Sequence, residues 1–130
     1  MNTAPFQFDR RIDTGILYSL YENDYLFIEE IFKTILKHYD EDVQAFKGQY
    51  LAGNLEELKK AAHKIKPVFG YIGLPDVQRY CGDFEEECAK AEAIEEIRPD
   101  CEQLLQQFAE CKQLIESDLQ KLSDYNNNAA

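Results

Sequence analysis

Apolar residues in this chain recur at alternating spacings of four and three. One run is Leu51, Leu55, Leu58, Ala62, Ile65, Phe69 and Ile72; a second is Val77, Cys81, Phe84, Cys88 and Ala91; a third is Cys101, Leu104, Phe108, Cys111 and Ile115. That period is the seam of a helix buried lengthwise against other helices. An earlier segment, from about Asn23 to His38, presents Ile28, Ile31, Phe32, Ile35 and Tyr39 in the same way. Four such helices joined by short connections pack as antiparallel neighbours. The expected fold is therefore all-α: an antiparallel up-and-down four-helix bundle with additional short N-terminal helices.

Punctuation residues set the expected boundaries. A short helix is predicted near Thr14 to Tyr21, and Asp40 is predicted to begin a helix carrying Val43, Phe46 and Tyr50 that ends at Gly53. Asn54 then caps the next helix, with Glu57 in capping-box position. Gly73 suits a left-handed cap, Leu74 marks the turn, and Pro75 suits the first turn of a new helix because its missing N–H has no partner there anyway. A break near Ile97 to Pro99 opens a last helix of roughly 24 residues. Residues 1–12 are expected to form an N-terminal extension, 13–123 the bundle, and 124–130, with its run of Asn, a disordered tail. His38, next to Tyr39 and Asp40, is expected to cap a helix end.

A chain of 130 residues with 45% apolar content fills one modest core and leaves no room for a second catalytic domain. Its net charge of -11 repels nucleic acid and anionic membrane. The start, Met1 to Arg11, lacks the apolar core of a signal peptide, and no stretch approaches the roughly 20 apolar residues of a membrane span, so a cytoplasmic protein is expected. Cys81, Cys88, Cys101 and Cys111 fall on apolar stripes without CxxC or CxxH spacing, as expected of buried reduced thiols.

His63 stands apart from this pattern. It lies more than a quarter turn from the centre of its helix's apolar stripe and shares a face with Lys59, Lys60, Lys66, Pro67 and Gly70. Lys59, Lys60, Lys64 and Lys66 make a basic cluster in an acidic chain, suited to an anionic ligand or an acidic partner surface. Pro67 and Gly70 project little and would let such a partner come close.

An antiparallel hairpin centred on Leu74 brings Glu85 opposite His63, since each is eleven residues from the turn and each follows a seam residue by one position. A hydrogen bond between carboxylate and imidazole is predicted. The carboxylate would fix the proton on Nδ1 and leave Nε2 as the nucleophile. Lys66, one turn on, would supply positive charge to transferring oxygens. Without the turn geometry, Glu85 is equally well one acid in the solvated run Asp83, Glu85, Glu86 and Glu87.

These residues resemble a histidine-containing phosphotransfer (HPt) domain of two-component phosphorelays. The resemblance rests on His63, Lys66, Gly70 and Gly73, then apolar Leu74 and a helix bearing Cys81 and Phe84. It implies that His63 is exposed midway along a four-helix bundle, accepts a phosphoryl group from a receiver-domain aspartate and passes it to another. It further implies that Lys66 is the supporting lysine and that Glu85 occupies the position of an imidazole-binding Gln or Glu. Four residues after the histidine, where the family commonly has glycine, stands Pro67; Val68 and Phe69 follow where small residues are frequent. A mid-helix proline removes the bond to the His63 carbonyl and is expected to kink the helix.

Other readings fit less well. A histidine kinase's dimerisation helix usually has an acidic residue directly after its histidine, whereas Lys64 follows here. A di-iron bundle needs Glu three residues before each His, but Ile35 and Lys60 hold those positions. The remaining alternative is a helical interaction module that binds a receiver or other signalling partner with His63 never phosphorylated. The expectation is a monomeric phosphoryl carrier without ATP-dependent kinase activity or cofactor, any Mg2+ belonging to the partner. Its partners would be response-regulator receiver domains and a hybrid histidine kinase. The docking face would comprise Lys59, Lys60, Lys64, Lys66, Pro67 and Gly70, with Tyr71 and Leu74 near the turn.

Overall fold

A computed structural model of the chain describes residues 4–128. Residues 1–3 of the expected extension and 129–130 of the expected tail lie outside it. The described residues contain no strand. They form α1 (Thr14–Tyr21), α2 (Tyr25–Leu51), α3 (Leu55–Tyr71), α4 (Pro75–Lys90), a short 3-10 turn (Ile94–Ile97) and α5 (Arg98–Asn128). The last four α-helices make the antiparallel bundle, in which α3 and α4 pack together most extensively and α2 bridges α3 and α5.

The core is built where the seams meet. Phe46, Phe69, Phe108 and Tyr39 are fully buried. Phe69 of α3 stacks on Phe108 of α5 with ring centroids 5.6 Å apart, and Phe46 meets Phe108 edge-on at 5.2 Å. Each such pair contributes about 0.5–1.5 kcal/mol beyond its buried area. Tyr39 reaches across from α2 and donates its hydroxyl to the Phe108 carbonyl at 2.7 Å, so this one buried polar group is satisfied. Because Phe69 lies between Tyr39 and Phe108, α3 is held against two other helices within two turns of His63.

The caps follow local chemistry. Asn54 accepts the Glu57 N–H at 3.1 Å, as expected, but the Glu57 side chain pairs with Lys60 at 3.2 Å. Gly53 and Gly73 take positive φ, 69° and 75°, the left-handed conformation a helix exit requires. Pro75 occupies the start of α4.

Several expectations are corrected. The predicted boundary at Tyr39 and Asp40 does not exist: α2 runs unbroken from Tyr25 to Leu51, because the anchoring of Tyr39 in the core outweighs the capping preference of Asp40. His38 consequently caps nothing; it projects to solvent in mid-helix, 4.0 Å from Glu41. Leu51, expected on the seam, is 72% exposed at the end of α2. The proline expected to kink α3 lies inside one helix, Leu55–Tyr71.

The expected disordered tail is helical as far as Asn128. Asn126 donates to the Tyr25 carbonyl at 3.0 Å and to Glu29 at 2.7 Å, and Tyr125 bonds the Ala4 carbonyl. These long-range contacts supply what low-complexity composition lacks. The N-terminal extension is packed on the bundle: Phe6 and Phe8 pack on the core, the Asp9 N–H meets buried Asp118 at 2.7 Å, and the Asp13 N–H meets the Gly73 carbonyl at 2.7 Å. The segment thus straps α5 to the α3–α4 turn.

Candidate functional site

The α3–α4 hairpin is registered on Leu74. Three pairs equidistant from it meet: His63 with Glu85, Lys66 with Gly82, and Gly70 with Gln78. The His63 Nδ1–H donates to Glu85 Oε1 at 2.7 Å. The Lys66 ammonium lies 2.6 Å from the other oxygen, Oε2.

The burial of these groups is unequal. The His63 side chain is 71% exposed and that of Glu85 only 11%. Glu85 is thus a largely buried acceptor beneath an open imidazole, engaged by a cation on one oxygen and a ring nitrogen on the other. As a carboxylate it can only accept, so the proton sits on Nδ1 and the lone pair of Nε2 points to solvent. An exposed imidazole nitrogen with a free lone pair has the chemistry of a nucleophile. Cys81, one turn before Glu85, offers no rival: burial and the Glu85 charge push its thiol up to about 12. All four cysteines are buried and free. Among the described residues no group of three or more His, Cys, Asp or Glu is disposed to hold a metal, and no helix is long and apolar enough to cross a membrane.

The family model for the Hpt domain matches residues 30–124. The chain belongs to the Hpt domain family. Two solved structures share its fold. The HPT domain of an Hpt sensor hybrid histidine kinase from Shewanella superposes with a TM-score of 0.75 at 18% identity, covering 87% of this chain and 97% of that one. Histidine-containing phosphotransfer protein B from Pseudomonas aeruginosa PAO1 gives 0.72 at 22% identity, covering 86% and 96%. No curated protein sequence matches the chain. Members of this family carry phosphoryl groups in two-component phosphorelays rather than acting as kinases, and that general role extends to this Hpt domain.

The other residues singled out on the His63 face are less uniform than their sequence suggests. The basic cluster is largely compensated: Lys60 pairs with Glu57 at 3.2 Å, Lys64 with Asp42 of α2 at 3.5 Å, and Lys66 with Glu85. Lys59 lies with Lys66, Gly82, Glu85 and Ala89 around a shallow cleft of about 460 Å³. Pro67 and Tyr71 are exposed. Gly70 is not an open ledge, because the Gln78 amide from α4 occupies the space beside it, 2.9 Å from where a Cβ would stand. Leu74 is corrected as a docking residue: it is 5% exposed and lines a cleft of about 530 Å³ on the α5 side. Its side chain belongs to the core cluster, which leaves little of it for a partner.

Three neighbours of the site in this Hpt domain escaped the sequence reading. Asp42 and Gln78 looked like ordinary polar residues of a solvated face. Gly82 carried a signal, a glycine in mid-helix three residues before Glu85, where alanine would cost less.

Proposed function

We propose that His63 is the phosphoryl acceptor of this Hpt domain, receiving the group from a receiver-domain aspartate and returning it to the aspartate of another. The observation that carries this reading is the hydrogen bond of 2.7 Å from Nδ1 to the largely buried Glu85 beneath an exposed ring. In the forward step the Nε2 lone pair attacks phosphorus, an N–P bond forms, and the O–P bond to the aspartyl carboxylate breaks. The carboxylate leaves with the electron pair, and the positive charge gained by the imidazole rests against Glu85. The reverse of the same step loads the second receiver. Electrostatic support of this kind is the main lever in phosphoryl transfer, where little other covalent chemistry falls to the protein.

Lys66 acts first through Glu85, and its positive charge, one turn from His63, favours the phosphoryl oxygens once they arrive. Mg2+ is assigned to the receiver, as is the donor chemistry; the chain works as a cytoplasmic monomer fed by a hybrid kinase. Docking relies on apolar surface near His63 more than on lysines, three of which are already paired. Tyr71 and Phe27 are both exposed, and Tyr21 joins them: its hydroxyl donates to the Tyr71 carbonyl at 2.9 Å and its ring lies 5.7 Å from that of Phe27. Tyr71 follows His63 by eight residues, about 12 Å along the helix, within reach of one globular partner. Exposed ion pairs contribute only about 0–1 kcal/mol each, so Lys59, Lys60 and Lys64 steer rather than hold.

The test is phosphoryl transfer from labelled, phosphorylated receivers to the wild-type chain and to His63→Gln in parallel. Acid-labile label on the wild type alone supports the carrier reading and identifies a donor. Binding without label from any receiver would make the domain an interaction module instead.

A further inference from the structure

The α3–α4 hairpin alternates small residues against long ones. At one step Gly70 of α3 accommodates Gln78 of α4; at the next, about one turn closer to the α4 carboxylate, the order reverses and Gly82 of α4 faces Lys66 of α3. A Cβ built on Gly82 would meet only Lys66 Cδ, at 3.9 Å, an ordinary contact. The Lys66 stem therefore passes beside α4 at this glycine, and its ammonium meets Glu85 Oε2 at 2.6 Å. Long cationic side chains often cover helix surface in this manner while the head seeks an anion.

We propose that Gly82 is a positioning residue for the phosphoryl-transfer site: with nothing beyond the Cβ position it leaves clear the path along which Lys66 reaches Glu85, and through Glu85 it fixes the His63 tautomer. The chain of contacts is Gly82, Lys66, Glu85, His63. Lys66 engages one carboxylate oxygen and so holds the Glu85 rotamer, which keeps the other oxygen on Nδ1. A side chain at position 82 that reaches past Cβ enters the space of the lysine methylenes and lifts the ammonium away. Alanine does not reach that far. The functional consequence rests on His63 being the acceptor; the tautomer control itself does not.

The experiment reads the two ring nitrogens of His63 by 15N NMR in Gly82→Ala, Gly82→Leu, Lys66→Met and the Gly82→Leu/Lys66→Met double variant, with far-UV circular dichroism to verify folding. Leucine is a better helix former than glycine, so helix propensity alone predicts no loss of structure. Gly82→Ala is expected to keep the wild-type ratio of Nδ1–H to Nε2–H tautomers. Gly82→Leu and Lys66→Met are each expected to lower that ratio severalfold, and the double variant to equal the singles, since both remove the same contact. If the leucine variant does not fold, Gly82→Gln carries the same prediction. Retention of the wild-type ratio in the folded variant while Lys66→Met lowers it would overturn the proposal, and so would an unchanged ratio in Lys66→Met. Failure of every receiver to label His63, with the ratios as expected, would sink the acceptor reading and leave the positioning role of Gly82 standing.

Discussion

Glu85 binds His63 through Oε1 at 2.7 Å while its Oε2 is held by Lys66 at 2.6 Å. One carboxylate thus joins two residues of α3 to which the proposed function gives different parts, a nucleophile and a support. Separating charge from geometry at Glu85 is informative for that reason. Glu85→Gln keeps an acceptor for Nδ1–H but loses the charge; Glu85→Ala loses both. Transfer from a receiver to His63 is expected to fall severalfold in the first and at least about tenfold in the second, the latter equal to about 1.4 kcal/mol of barrier. Equal rates in Glu85→Ala and wild type would show that the carboxylate has no part in the step. Because Glu85 is buried and both of its oxygens are engaged, stability is also expected to fall in Glu85→Ala, so transfer is compared on variants verified as folded by circular dichroism.

Docking and chemistry are separable on this surface. Tyr71→Ala and Phe27→Ala remove exposed aromatic area without touching the His63, Glu85 and Lys66 contacts. Each is expected to weaken receiver binding by about 1–2 kcal/mol, the range of ordinary interface side chains, while leaving the His63 tautomer as in the wild type. Binding measured by calorimetry against the receiver that labels the wild type checks this. If affinity is unaffected in both variants, the docking face lies elsewhere.

The hairpin was legible from sequence because two periods and a turn constrain it completely: Gly73, Leu74 and Pro75 mark the turn, and counting outward fixes which residues meet. That is why His63 and Glu85 could be paired without coordinates. Gly82 was visible in the same count, opposite Lys66, but a glycine in a helix states only that a side chain is missing and not what fills the space. Other features were illegible because they depend on distant partners. Asp40 resembles a helix start until Tyr39 is seen to anchor on Phe108, and Asn126 resembles tail composition until it is seen to bond Tyr25 and Glu29. The lysine cluster looked basic because Asp42, the partner of Lys64, sits on another helix.

Stability should respond to acid through Glu87. Burial and the neighbouring Asp100 push its carboxyl from 4.5 up to about 6, with Asp83 adding to the effect. A carboxyl that binds its proton more tightly in the folded state stabilises the fold when protonated. Its contribution is fully present below about 4.5 and is lost as pH rises through about 6. Glu87→Gln removes this dependence. The variant and wild type should melt alike at the low end of that window, and the variant should melt higher at neutral pH, by no more than a few degrees because Glu87 is exposed to solvent screening. Parallel melting curves across the window would mean that neither desolvation nor Asp100 raises the Glu87 carboxyl in the folded chain.

Pro67 sits inside α3 and cannot donate to the carbonyl of His63, four residues before it, yet the helix runs on. The bundle tolerates this because Ile65 and Phe69, on either side of the proline, are buried on the opposite face and hold the backbone from there. Proline in a helix interior is about 3 kcal/mol worse than alanine, and glycine about 1 kcal/mol worse. Some of that difference is offset by the restriction proline places on the unfolded chain. Pro67→Ala is therefore expected to be more stable than Pro67→Gly, and both more stable than wild type, with the alanine variant melting several degrees higher. Because Glu85 and not this backbone bond orients the imidazole, the tautomer of His63 should be unchanged in both. A wild type that melts higher than Pro67→Ala would show that α3 has adapted to proline so far that the restored N–H finds no acceptor. A tautomer shift without change in stability would place Pro67 among the residues that orient His63.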